Sequence, residues 1–379
     1  MSGIAAILEN IPDPRQEWKV RHKLSEILVI ALLAITSNAA TSSQIHDFAV
    51  TRQEWLKTFM TLENGIPGRL TISRVLQALS PKAFAIFFAQ LMKKVEDQTE
   101  GRIVAVDGKA LAGTYHNDGR KGLVFMVSAW CNENKLTLAQ VKTQDKSNEI
   151  TAIPELLDML DLTGAVVTID AMGCQKEIVK KIVKEKKADY LIGLKGNQAT
   201  MHSEFKEYAV AAIAEPVEKN LYEKLVTVDK GHGRIETREY WLFRNVDWFE
   251  DKTAWAGLNG LLMVRSSRKN IKSGNESEPE VRLYITSMSG SVEEVANASR
   301  SHWGIENNLH WVLDVAYGED QCLTRLNAEA VNLAQLRRLS VNLLKLDTDN
   351  KISANRKRFI ASIDPAYLER LVINSKLFS

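Results

Sequence analysis

From residue 101 to residue 194 the chain switches between short β-rich runs and helical ones, and few folds accommodate the order it follows. "RIVAVDG", "LVFMVSAW" and "KLTLAQVKT" predict three strands in succession, separated by turn residues. "SNEITAIPELLDML" predicts a helix, with Ser147 or Asn148 as N-cap and Pro154 within its first turns, where a missing N–H does little harm. A strand "AVVTIDA", a basic helix "CQKEIVKKIVKEKK" and a further strand "DYLIGL" complete the run. The order β-β-β-α-β-α-β implies an α/β fold in which a mixed sheet is flanked by helices.

The remainder divides around this core. Residues 1–95 read as helical: "KLSEILVIALLAITSNA" is apolar nearly all round, as a buried helix would be. In "GIPGRLTISRVLQAL" a Gly/Pro turn precedes Thr71, the expected N-cap, and the apolar residues Ile72, Val75, Leu76 and Leu79. That helix carries Arg74 and Gln77, so it is either a DNA-reading helix or an ordinary bundle helix with polar residues in water. Residues 96–199 form the first part of the core. Residues 200–290, with "LVTVDKGHGRIETREYWLF", "LNGLLMVRSSR" and "VRLYITSM", read as a β-rich insertion. Helical patterning returns over 291–330 and continues through a basic segment, 331–379.

Charge and cysteine content narrow the function classes. The net charge is only +2, but residues 1–95 hold eleven Lys/Arg against seven Asp/Glu, and residues 331–379 hold nine against four. Two basic ends around an acidic middle suit an enzyme that binds a polyanion and carries a carboxylate site. Cys131, Cys174 and Cys322 lack C-x-x-C spacing, which argues against a disulfide scaffold or structural zinc and fits a reducing cytoplasm. The longest apolar run, "ILVIALLAI", is well short of the ~20 residues that span a bilayer. It follows a charged stretch and lacks a cleavage site, so it reads as a buried helix rather than a signal peptide.

Two carboxylates stand where strands end: Asp107 closes "IVAVD" and Asp170 closes "AVVTID". Each alone could be a turn residue or an exposed strand terminus. As a pair on one sheet they are rigidly held yet open to a cleft, as a cation-binding site requires. Phosphodiesters repel nucleophiles, and enzymes neutralise them with divalent metals about 4 Å apart, held by carboxylates from distant parts of the chain.

"SHWGIENNLHWVLDV" offers a third carboxylate. His302, Glu306, His310 and Asp314 recur every four residues, but His302 and His310 would lie about 12 Å apart along a helix, too far to share zinc. At about 100° per residue, Ile305, Leu309, Val312 and Ala316 share one face, Glu306 borders it, and Asp314 points roughly 120° from His302, away from that face. Glu306 is then either a solvated edge residue or a carboxylate able to reach the sheet rim.

In combination, "VAVDGK" with Asp107, "TIDAMGCQ" with Asp170 and "SHWGIENNLHWVLDV" with Glu306 resemble the three acidic motifs of DDE transposases, most closely the H-repeat-associated, ISAs-type insertion-sequence transposases. The resemblance covers almost the whole chain, including "IPDPRQEWKVRHKLSEIL", "KSNEITAIPELLDMLD" and the basic C-terminal segment. It implies a ribonuclease-H-like core with the first Asp on the first strand, the second on the fourth and the Glu on a later helix, in agreement with the strand count. It further implies that Asp107, Asp170 and Glu306 are the catalytic residues and ligands of Mg²⁺ (or Mn²⁺). The substrates would be double-stranded DNA, namely the terminal inverted repeats of an element and a target, acted on by a homodimer in the cytoplasm with no membrane involved. The helical segment 1–95 would then bind the DNA ends.

Some related transposases carry Tyr, Arg and Lys at fixed offsets around the Glu. Here those positions hold Ser299, His302 and Leu313, so that signature is not met. The candidate DNA contacts are Arg74, Lys109, Lys195, Arg300, His302, Asn307 and His310, together with His232, Arg234 and Arg238 of "KGHGRIETRE". That ribbon could equally be a polar hairpin with outward charges. Two further functions are compatible with the same residues: a metal-dependent nuclease that cuts without joining, and a catalytically silent relic that binds DNA.

Overall fold

The computed structural model describes residues 3–95, 102–114, 124–143, 149–215, 219–231, 233–322, 324, 327–375 and 377–378. The expected caps Ser147 and Asn148, and His232, lie outside the described residues. Nine strands are formed among the described residues: β1 (Ile103–Leu111), β2 (Val124–Cys131), β3 (Leu136–Lys142), β4 (Val166–Ile169), β5 (Asp189–Leu194), β6 (Glu223–Gly231), β7 (Arg234–Phe243), β8 (Gly260–Asn270) and β9 (Glu280–Thr286). The chain folds as two compact units. One comprises Met1–Gln98, Gly108–Leu160 and Gly304–Ser379; the other comprises Thr99–Asp107 and Asp161–Trp303.

In the second unit the strand order is β1-β4-β5-β9-β8-β7-β6. β4 is parallel to both β1 and β5, and from β9 onward every pairing is antiparallel. The β-rich insertion therefore continues the core sheet. Without β9, the apolar strand β5 would present an open edge of unpaired backbone groups. Helix Val292–Ser301 covers this sheet, burying Val292, Val295 and Ala298 in one core with Leu191, Tyr240 and Leu262. Its start is fixed by a capping box between Ser291 and Glu294, which satisfies two orphan amides reciprocally.

In the first unit the strand order is β3-β2-β1. β2 and β3 are antiparallel, with an irregularity between Ala129 and Trp130. Through β1, which enters both units, the first five strands follow the 3-2-1-4-5 order of a ribonuclease-H-like mixed sheet. The helix Asn327–Leu346 packs Val331 and Ala334 against Leu111, Val124 and Met126. Two of its buried asparagines are matched within the fold. Asn342 donates to the Thr137 carbonyl and accepts from the Thr137 amide, while Asn332 donates to the Leu76 and Leu79 carbonyls at the end of helix Arg69–Ala78. Those carbonyls have no intrahelical partner of their own, so the contact closes a helix end that would otherwise be left unsatisfied.

Every residue of helix Leu24–Thr36 is buried, as its uniform hydrophobicity requires. Among the described residues no single helix is long and apolar enough to cross a membrane. Helix Arg69–Ala78 begins two residues before the expected cap: Gly68 is the N-cap and Thr71 lies inside the first turn. The basic character of residues 331–379 is only partly a surface property. Arg337, Arg338, Lys357 and Arg358 are all buried. Arg338 pairs with Glu319 at 3.0 Å, Lys357 donates to the Leu344 carbonyl at 2.8 Å, and Arg358 donates to the Ile35 carbonyl at 2.7 Å. Composition counts these charges, but folding consumes them.

Candidate active site

The parallel pairing of β1 and β4 runs from Ile103↔Val166 to Val106↔Ile169. Asp107 and Asp170 are the next residue on each strand. Neighbouring strands lie about 4.8 Å apart, and residues in equal register on parallel strands face the same side. The second unit therefore sets the two residues side by side where the β1–β4 pairing ends and buried residues give way to half-buried ones. β1 itself runs on to Leu111, so Asp107 sits within its strand rather than closing it as expected, and only Asp170 stands at a strand end. Oxygen donors at this spacing fit a hard divalent cation. Among the described residues no three His, Cys, Asp or Glu side chains form a ready-made metal cluster.

The loop after Asp170 is held from three sides. Asp170 caps the short turn Ala171–Gly173, its carboxylate accepting from the Met172 amide at 3.0 Å. β5 passes close beneath: a Cβ on Gly193 would sit 3.1 Å from the Ala171 nitrogen, so glycine lets the strand approach. From "GLKGNQ", Asn197 donates to the Ala171 carbonyl at 2.7 Å and Gln198 to the Cys174 carbonyl at 2.9 Å. These two amides, missed by sequence reasoning that singled out Lys195, clamp the Asp170 loop. Their signal was present, since the motif's turn residues directly follow an apolar strand. Thr168, two residues before Asp170, bonds His302 Nδ1 at 3.0 Å. Burial lowers the His302 pKa despite the opposing charge of Asp170, so the imidazole is neutral and serves as a strut.

Glu306 lies in the first unit and is exposed. It opens a π-helical turn, Glu306–His310, in which the Trp311 amide reaches back five residues to the Glu306 carbonyl. Such turns are rare and frequently mark functional positions. The wider turn displaces every residue after it around the axis. Ile305, Leu309 and Val312 are buried as expected, and so is Leu313. Asp314, expected to point away from the packed face, instead meets the end of β1. Lys109, two residues beyond Asp107, is buried with its ammonium 2.7 Å from Asp314 and 3.0 Å from Asp320. Burial opposes the Lys109 charge, but these carboxylates outweigh it and raise the pKa above the ordinary lysine value. Within this unit, then, β1 and the Glu306 stretch are tied by an ion pair.

Two close approaches add to this. A Cβ on Gly304 would meet Asn132 Oδ1, in the turn between β2 and β3, so a larger residue two positions before Glu306 must displace the Asn132 side chain. A Cβ on Gly108 would lie 2.5 Å from Glu149 Oε1, which places the Glu149 carboxylate against the residue following Asp107. Glu149 opens the helix Glu149–Asp158, and nothing in the sequence signals this approach.

Residues 98–343 match the family model described as the transposase DDE domain, and residues 5–92 match the DDE_Tnp_1-associated model. The chain belongs to the DDE transposases. YncI of Escherichia coli O157:H7, which bears a transposase name, is 40% identical over 96% of this chain and 92% of its own length. YhhI of Escherichia coli K12, named as an H repeat-associated transposase, is 39% identical over 97% of both chains. A piggyBac transposase solved in a synaptic complex with hairpin DNA overlays with a TM-score of 0.43 at 11% identity, covering 98% of this chain and 76% of that one. A divalent metal is the cofactor that a DDE transposase implies.

The cations considered for DNA contact separate by burial. Arg74, Lys195, Arg234 and Arg300 are exposed, as is Asn307, and His310 is half-buried. Lys109 is consumed by Asp314 and Asp320. Arg238 is buried, 2.5 Å from Asp229 and also paired with Glu236, so it braces the β6–β7 hairpin. Neither presents a cation to solvent, because each lies among carboxylates of its own unit.

Proposed function

We propose that this DDE transposase cleaves double-stranded DNA at the terminal inverted repeats of its element and joins the freed 3′ ends to target DNA, using Asp107, Asp170 and Glu306 with Mg²⁺. The observation that carries the reading is the register that sets Asp107 and Asp170 side by side where the parallel pairing of β1 and β4 ends. The bound metal would neutralise the scissile phosphate and ease deprotonation of the attacking oxygen. The protein's part is orientation. The Asn197 and Gln198 amides, the close-packed Gly193 and the neutral His302 fix the Asp170 carboxylate, while Lys109 and Gly304 fix the helical stretch that bears Glu306. Exposed Arg74, Lys195, Arg234, Arg300 and Asn307 would contact the phosphate backbone, Arg74 from the segment 1–95 that would hold the ends. Joining two ends calls for a homodimer on DNA, acting in the cytoplasm.

The test is incubation of the purified chain with its element ends, a target plasmid and Mg²⁺. The expected result is cleaved and joined DNA, with both products lost in D107N, D170N and E306Q variants that still bind DNA. Cleavage without any joined product would make the protein a nuclease. Binding without cleavage in the native chain would make it a silent relic.

A further inference from the structure

A cavity of about 780 Å³ opens on the far side of the Glu306 stretch, wholly within the first unit. Its apolar wall is made by Trp311 and Val315, which are 59% and 56% exposed. An indole left this open on a helix whose opposite face is packed is costly to hydrate and is well shaped to receive a flat partner. Asn307 borders the same cavity and offers an amide.

The rim is cationic. Lys135 comes from the turn between β2 and β3, Lys345 from the end of helix Asn327–Leu346, and Lys351 from the loop after it. Burial, and then the neighbouring charges of Lys135 and Lys357, hold the Lys345 ammonium below its ordinary pKa. Two acids also line the cavity. Asp347 is already satisfied, accepting from Tyr367 at 2.7 Å and pairing with Lys357 at 3.4 Å, and its own carboxyl is held below the usual range. Glu133 stands exposed against three lysines. The first residues of helix Ala354–Ile363 add the positive end of a helix dipole.

We propose that this cavity binds an unpaired nucleotide of a DNA strand, with the base stacked on Trp311 and its phosphate held by Lys135, Lys345 and Lys351. A duplex presents no free base face, so the exposed indole selects for a single strand, and the lysines match the phosphate that each nucleotide brings. The inference rests on DNA as the chain's partner and not on cleavage, so it is tested without metal.

The experiment measures binding of the full chain to a fluorescent dT10 strand by anisotropy, with chelator present, beside a duplex of equal length. W311A is expected to weaken single-strand binding roughly 10-fold, within the range for loss of one stacked base, and to leave duplex binding within 2-fold. K345Q and K351Q are expected to weaken it less and to flatten its salt dependence. Trp311 and Lys351 are exposed, so both variants fold. A 5-bromodeoxyuridine strand should photocrosslink to Trp311. The proposal is overturned if W311A and K345Q bind dT10 like the native chain, or if duplex binding falls in step with it. It is also overturned if thymidine monophosphate competes as well as the strand, since the occupant would then be a free nucleotide.

Discussion

Replacing Lys109 with methionine removes one charge while keeping most of the side chain's length and volume. The ammonium is 9% exposed and donates to Asp314 at 2.7 Å and Asp320 at 3.0 Å; these carboxylates are 36% and 45% exposed. Breaking a fully buried pair costs about 3–5 kcal/mol, and breaking an exposed one about 0–1 kcal/mol. With a buried cation and screened anions, K109M should lose about 2 kcal/mol, read as a lower urea midpoint. The double variant K109M/D314N should recover part of the loss, since the neutral amide no longer repels Asp320. The Lys109 pKa is raised in the folded state, so this stabilisation is fully present below the unfolded lysine value and is lost only as pH rises through the folded one. The difference between native and K109M should therefore be flat through neutral pH and shrink only in strong alkali. Because Lys109 ties β1 to the Glu306 stretch, DNA cleavage should fall about 100-fold, the effect expected of roughly 1 Å of misplacement, with DNA binding little changed. A K109M variant with stability within about 0.5 kcal/mol of native and full cleavage would refute the reasoning.

Gly304→Ala must displace Asn132, whose Oδ1 would lie 1.9 Å from the new Cβ. It should destabilise by about 1–3 kcal/mol, and N132G introduced alongside should restore most of that in a urea titration. Asn197→Ala removes the donor to the Ala171 carbonyl and should cost about 1 kcal/mol while lowering the cleavage rate more than DNA affinity; equal losses in both would place Asn197 in DNA binding instead. The Asp347 carboxyl is buried, which alone would raise its pKa, but Tyr367 and Lys357 outweigh this and lower it. Its stabilisation is present above the ordinary aspartate value and fades as pH falls through the depressed one, so D347N should flatten the stability profile below about pH 4.

The strand order was legible because each apolar run is short and bounded by turn residues, and the position of Asp170 at a strand end followed directly; Asp107 did not, because β1 runs on through the Asp-Gly pair to Leu111. The Glu306 stretch was legible only in part. A uniform 100° rotation places Ile305, Leu309 and Val312 correctly, but periodicity carries no sign of a π turn, and Asp314 was turned to the wrong side as a result. Burial of charge was likewise hidden: Lys109, Arg238, Arg337 and Arg338 look like surface cations until the fold brings carboxylate or carbonyl partners against them. The turn residues Asn197 and Gln198 stood out after an apolar strand, but their partners did not, and the close approaches at Gly304 and Gly108 are between elements far apart in the chain, which no local pattern encodes. The strand runs between 223 and 286 were legible, but the helix Ala199–Ala214 at the start of that region was not, and the pairing of β9 with β5 is a tertiary fact.

The claim that Asp107 and Asp170 hold the reaction's metal is tested most directly by changing each ligand atom to sulfur. Asp107→Cys and Asp170→Cys should each be inactive in Mg²⁺ and recover measurable cleavage in Mn²⁺, which accepts thiolate more readily. Asp107→Ala and Asp170→Ala should stay inactive in both metals. Cleavage by the cysteine variants at the native rate in Mg²⁺, or equal activity of the alanine and native proteins, would contradict the assignment.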